Sequence, residues 1–92
     1  MEDKDFYAIE IDREDYLIYL HFNFKHEDFI ADGVEETLGQ DIEKMRGVNS
    51  AYSSDLYKLD IEVSRSKFFK VADVAKAIEQ RLRECGIEKS NL

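Results

Sequence analysis

The feature that most constrains this fold is a change of hydrophobic period along the chain, from two residues to between three and four and back, with no proline to interrupt it. Phe6 to Asp12 alternates, with Tyr7, Ile9 and Ile11 on one face and Ala8, Glu10 and Asp12 on the other, as a half-buried strand requires. Arg13-Glu14-Asp15 interrupts the pattern. Tyr16 to Phe24 resumes it, setting Tyr16, Ile18, Leu20, Phe22 and Phe24 against Leu17, Tyr19, His21 and Asn23. Two such runs separated by three polar residues predict an antiparallel hairpin. The second run is apolar on both faces at its start, as in a central strand or one whose outer face meets a partner.

From Asp28 to Arg46 the period lengthens, because Ile30, Val34, Leu38, Ile42 and Met45 recur every three or four residues. This predicts an amphipathic helix ended by Gly47, with Lys44 and Arg46 at the negative end of its dipole. Gly33 and Gly39 lie inside it, so either the helix packs closely there, the favoured reading, or it breaks into two pieces. Residues 48–53 fit a short edge strand. Tyr57, Leu59, Ile61 and Val63 then alternate with Lys58, Asp60 and Glu62 in a clear strand. Val71, Val74, Ala75, Ile78, Leu82 and Cys85 form the apolar stripe of a second helix, stopped by Gly86.

The expected architecture is α+β: a two-layer sandwich of an antiparallel sheet with two helices on one face, strand order along the chain ββαββα. One domain spans residues 1–92, with an ordered core of about 6–87. A ferredoxin-like split βαβ has this order if its last edge strand is supplied from the front of the chain by residues 6–12, which makes the sheet a circularly permuted ferredoxin-like one. The alternative is a three-stranded sheet without the 48–53 edge.

Three segments, Met45-Arg46-Gly47-Val48-Asn49-Ser50-Ala51, Leu59-Asp60-Ile61-Glu62-Val63 and Val71-Ala72-Asp73-Val74-Ala75-Lys76-Ala77-Ile78, resemble the later part of heavy-metal-associated domains. The resemblance covers less than half the chain and implies the ferredoxin-like fold. Those domains bind metal through a paired-cysteine motif after their first strand. Here Asn23-Phe24-Lys25-His26 stands in its place, so the metal function does not carry over.

Thirteen basic and twenty-one acidic side chains give a net charge of −8, which repels nucleic-acid backbones and anionic lipid. Residues 1–64 hold six basic and seventeen acidic side chains, net −11, and residues 65–92 hold seven and four, net +3. Direct nucleic-acid binding and membrane insertion are disfavoured, and the acidic start predicts a chain that stays in the cytoplasm. The lone Cys85 has no internal disulfide partner and falls on the apolar stripe, where it is expected to be a small core residue.

No phosphate loop, nucleophile elbow or metalloprotease histidine pair is present, and adjacent carboxylates such as Glu35-Glu36 point apart. No catalytic or metal-binding residue is assigned, no cofactor is expected, and the chain is read as non-enzymatic. His21 on the outer sheet face, with Asp60 and Glu62 on a neighbouring strand, is the nearest approach to a zinc or general-base set. It reads better as a surface histidine satisfied by a carboxylate.

The leading expectation is a small acidic interaction or regulatory module that binds another, basic protein or pairs with a second copy as a homodimer. Its candidate partner-binding residues are Leu17, Tyr19 and His21 on the helix-free sheet face and Asp28, Asp32, Glu35, Glu36 and Glu43 on the acidic first helix. Two alternatives are an acidic inhibitor of phage type whose helix carboxylates imitate phosphates, and a domain sensing a small ligand at a dimer interface through Tyr19 and His21.

Overall fold

A computed structural model of the chain describes residues 5–23, 38–55 and 57–90. The first hairpin forms as its two alternating runs require: β1 (Asp5–Asp12) and β2 (Leu17–Asn23) pair antiparallel, Glu10 opposite Tyr19 and Ala8 opposite His21. Tyr16, expected within the second strand, instead closes the turn with φ 55°, and its ring packs partly against the core. A left-handed residue at that point lets three polar residues and a tyrosine reverse the chain without glycine.

Of the predicted first helix, residues 28–37 lie outside the described residues. Leu38 and Gly39 form a wide turn leading into α1 (Gln40–Glu43), where Leu38 and Ile42 are buried and Gly39 holds ordinary helical angles. The helix stops at Glu43, capped by Lys44, and does not run to Arg46. Met45 N–H bonds to Ile42 C=O at 3.0 Å, a tighter turn that ends the α-helical ladder early. Gly47 then adopts φ +86°, and a Cβ there would stand 2.9 Å from Val74 Cγ2, so both backbone and packing demand glycine.

The chain continues as β3 (Val48–Asp55), β4 (Lys58–Val63), α2 (Val71–Glu84) and β5 (Ile87–Lys89). Residues 48–53 thus do belong to a strand, which excludes the three-stranded alternative. The sheet order is β3-β4-β2-β1-β5. Two corrections follow. The element order ends in a fifth strand and is not ββαββα, and the sheet is mixed, because β5 runs parallel to β1 with Asp5 opposite Ile87. Residues 6–12 are therefore an interior strand and not the edge. Gly86, at φ +84°, ends α2 as expected and turns the chain so that Ile87 is fully buried.

The core lies on one face of the sheet. Ile18, Leu20 and Phe22 of β2, Leu59, Ile61 and Val63 of β4, Tyr7 and Ala51 meet Leu38, Ile42, Val71, Val74, Ala75, Ile78, Leu82 and Ile87 in one cluster. An ion pair between Arg81 and Asp41 joins α2 to the helical segment at α1, which places both in the same layer. Cys85 is exposed, a correction to its expected core position: the backbone leaves the helix there with φ −85° and ψ 0°, so the stripe's spacing no longer applies. Tyr57 is likewise exposed, at the turn before β4.

Candidate interaction face

The face opposite the helices carries the even-numbered residues of β1, β3 and β4 and the odd-numbered residues of β2. Cross-strand register sets them in rows: Glu10, Tyr19, Asp60 and Tyr52 stand side by side across β1, β2, β4 and β3. The next row holds Asp12, Leu17, Glu62 and Ser50, and the row on the other side Ala8, His21 and Lys58. Neighbours within a row have Cβ atoms about 4.5–5.5 Å apart, so the tyrosines flank Asp60 on both sides. Four carboxylates, Glu10, Asp12, Asp60 and Glu62, share this face with Lys58 and His21.

Tyr52 reaches the face through an irregularity. Val48 lies opposite Val63 on the core side, and regular alternation would send Tyr52 there as well. A register shift between Val48 and Ser50 moves Ser50 opposite Glu62 and Tyr52 opposite Asp60. Tyr52 is 46% exposed.

Asp60 is the least ordinary member. Its side chain is 13% exposed, and its Oδ1 is inaccessible and makes no hydrogen bond among the described residues. Lys58 Nζ stands 4.0 Å from that oxygen and 5.3 Å from the centre of the Tyr19 ring. Burial, with the charges of Asp12, Asp60 and Asp15, pushes the Tyr19 phenol above its ordinary value. A depression of about 450 Å³ lined by Glu10, Asp12, Glu14 and Tyr19 with Ile11 and Arg13 opens beside the row.

The structure brings Leu17, Tyr19 and His21 onto one face, as their spacing predicts. His21 meets Glu10, Nε2 to Oε1 at 3.6 Å, and lies opposite Lys58, while Asp60 belongs to Tyr19. The imidazole with Asp60 and Glu62 is therefore not a set, and among the described residues no group of three histidines, cysteines or carboxylates is placed to hold a metal. Glu43 is exposed on α1, in the helical layer, apart from the sheet face. Asp28, Asp32, Glu35 and Glu36 lie outside the described residues, and with them most of the phosphate-imitating surface. Sequence reasoning left out Tyr52, whose face depends on the shift. The pairing of Asp60 with Tyr19 needs the β2–β4 register, which the sequence leaves open.

The basic excess of the second half is concentrated in Arg65, Lys67 and Lys70, before α2, around Phe68, which is 79% exposed. Arg65 donates a 3.2 Å hydrogen bond to Asp15 C=O and stacks over the Tyr16 ring, tying this segment to the hairpin turn. No described helix is long and apolar enough to cross a membrane. Comparison with protein-family models, curated proteins and solved structures finds no match to this chain.

Proposed function

We propose that this chain is a non-enzymatic protein-interaction module whose helix-free sheet face receives a basic segment of another protein. The observation that carries the reading is the row Glu10, Tyr19, Asp60 and Tyr52, in which aromatic side chains alternate with carboxylates on a face that no described helix covers. Tyrosine within a polar rim is the composition of interface centres, and the surrounding carboxylates select a cationic partner. A second copy is the poorer occupant, because it would set the same four carboxylates against each other.

The order β3-β4-β2-β1 supports a circularly permuted ferredoxin-like sheet extended by β5, since it is the order obtained when the last strand of that sheet moves to the front. A cytoplasmic setting belongs to the same reading. Its support is the lone cysteine, which has no disulfide partner within the chain.

Amide chemical-shift mapping with a short lysine- and arginine-rich peptide tests the proposal. The expected result is perturbation at Leu17, Tyr19, Tyr52 and Glu62, weakening as salt rises, with a monomer by light scattering. Perturbation confined to α1 would move the docking surface to the acidic helix. A dimer that Tyr19→Asp breaks would make the occupant a second copy.

A further inference from the structure

We propose that Tyr19, Tyr52 and Asp60 form a cation subsite for an arginine side chain of the partner, and that Lys58 fills this subsite in cis until the partner arrives. The inference rests on the docking reading above and adds to it a ligand chemistry and an internal competitor.

Asp60 sits on β4 between two tyrosines, its direct neighbours on β2 and β3. A carboxylate oxygen held out of water and given no hydrogen bond is costly, and Asp60 Oδ1 is inaccessible and has no such bond among the described residues. Lys58, two residues earlier on the same face of β4, brings its ammonium to 4.0 Å from this oxygen, within range of ion pairing and beyond that of a hydrogen bond. The same ammonium lies over Tyr19 at 5.3 Å. It therefore supplies both contacts a cation would make here, and supplies the polar one incompletely.

A guanidinium completes them. It carries five donors in a planar fork, so it can donate to Asp60 directly, and its flat faces stack on tyrosine rings as an ammonium cannot. A partner arginine must displace Lys58 first, so Lys58 raises the affinity threshold of the site without closing it. Arginine is favoured over lysine for a simple reason: a second ammonium would gain little over the one already present.

The test measures binding of a short arginine-containing peptide and of its counterpart with neutral, isosteric citrulline. Titrations use the wild type, Lys58→Met and Lys76→Met, the last removing an equal charge from the exposed face of α2. Lys58→Met should bind the arginine peptide about threefold to tenfold more tightly, the size of one exposed cation–π contact and one weak ion pair lost by the competitor. Lys76→Met should match the wild type, and the citrulline peptide should bind none of the three. Asp60→Asn and Tyr52→Ala should each weaken the arginine peptide and remove the benefit of Lys58→Met.

Unchanged or weaker binding by Lys58→Met overturns the proposal, as does equal tightening by Lys76→Met or equal binding of both peptides. Arginine-peptide perturbations that avoid the outer face in both the wild type and Lys58→Met would instead overturn the docking reading itself.

Discussion

Tyr7 donates a 2.9 Å hydrogen bond to Glu79, fastening the interior strand β1 to α2. Lys89 Nζ approaches the same carboxylate at 3.4 Å, so β5 joins the link. Burial of the Tyr7 ring, then the bond to Glu79 and its charge, push the phenol well above its ordinary value.

Removing the hydroxyl with Tyr7→Phe is expected to cost about 1.5–3 kcal/mol in urea unfolding, the range for a hydrogen bond to a charged group, because Glu79 then loses its shorter contact and keeps that of Lys89. Lys89→Met, at an exposed ammonium, should cost under about 1 kcal/mol. Equal losses would contradict the assignment of the phenol as the main tie.

The same phenol sets an alkaline limit. Its folded pKa is above its unfolded one, so the folded state holds the proton more tightly and the stabilisation is complete below about pH 10. It is lost as pH climbs from there toward the folded value. Unfolding midpoints measured between neutral pH and pH 11 should fall steeply in the wild type and less so in Tyr7→Phe.

Gly47 and Gly86 have nearly the same left-handed backbone, φ +86° and +84°, but different surroundings. Gly86→Ala meets nothing within 4 Å and should cost about 1–2 kcal/mol, the backbone strain alone. Gly47→Ala adds collisions with Val74 and Phe69 and should cost about 1–3 kcal/mol more. Paired denaturation curves measure the difference, and equal values would show that the neighbours of Gly47 yield freely.

On the outer face, Tyr52→Ala should change stability by no more than about 0.5 kcal/mol while weakening binding of a basic peptide. Ile87→Ala should do the reverse, costing about 2–5 kcal/mol because its side chain is fully buried, and leaving peptide contacts intact in whatever fraction stays folded. Calorimetry beside a peptide titration separates the two. A stability loss in Tyr52→Ala comparable to that of Ile87→Ala would place Tyr52 in the core's support.

What the sequence discloses about this fold follows from how far each residue's setting depends on near neighbours. Ile18, Leu20 and Phe22 alternate regularly, and so do Leu59, Ile61 and Val63, which made their strands and buried faces legible. Tyr19 and Leu17 on the opposite face followed from the same parity. Ile87 sits alone between Gly86 and Glu88, so three residues of strand show no period to read, and its partner in the sheet lies at the other end of the chain. Tyr52 needed the register shift, a property of the β3–β4 pairing and not of residues 48–55 alone. Cys85 kept the helical spacing but fell one residue past the helix.

The parallel pairing of β1 with β5 bears on the order in which the molecule can be assembled. The first hairpin and the β3–β4 pair are local and can close early. Asp5 and Ile87 are separated by nearly the whole described chain, and until they meet, β1 shows water an unpaired edge. A nascent chain still short of Ile87 on the ribosome carries that edge exposed, so the interval before synthesis reaches α2 and β5 is when this protein is most open to capture by chaperones or by other unfinished sheets.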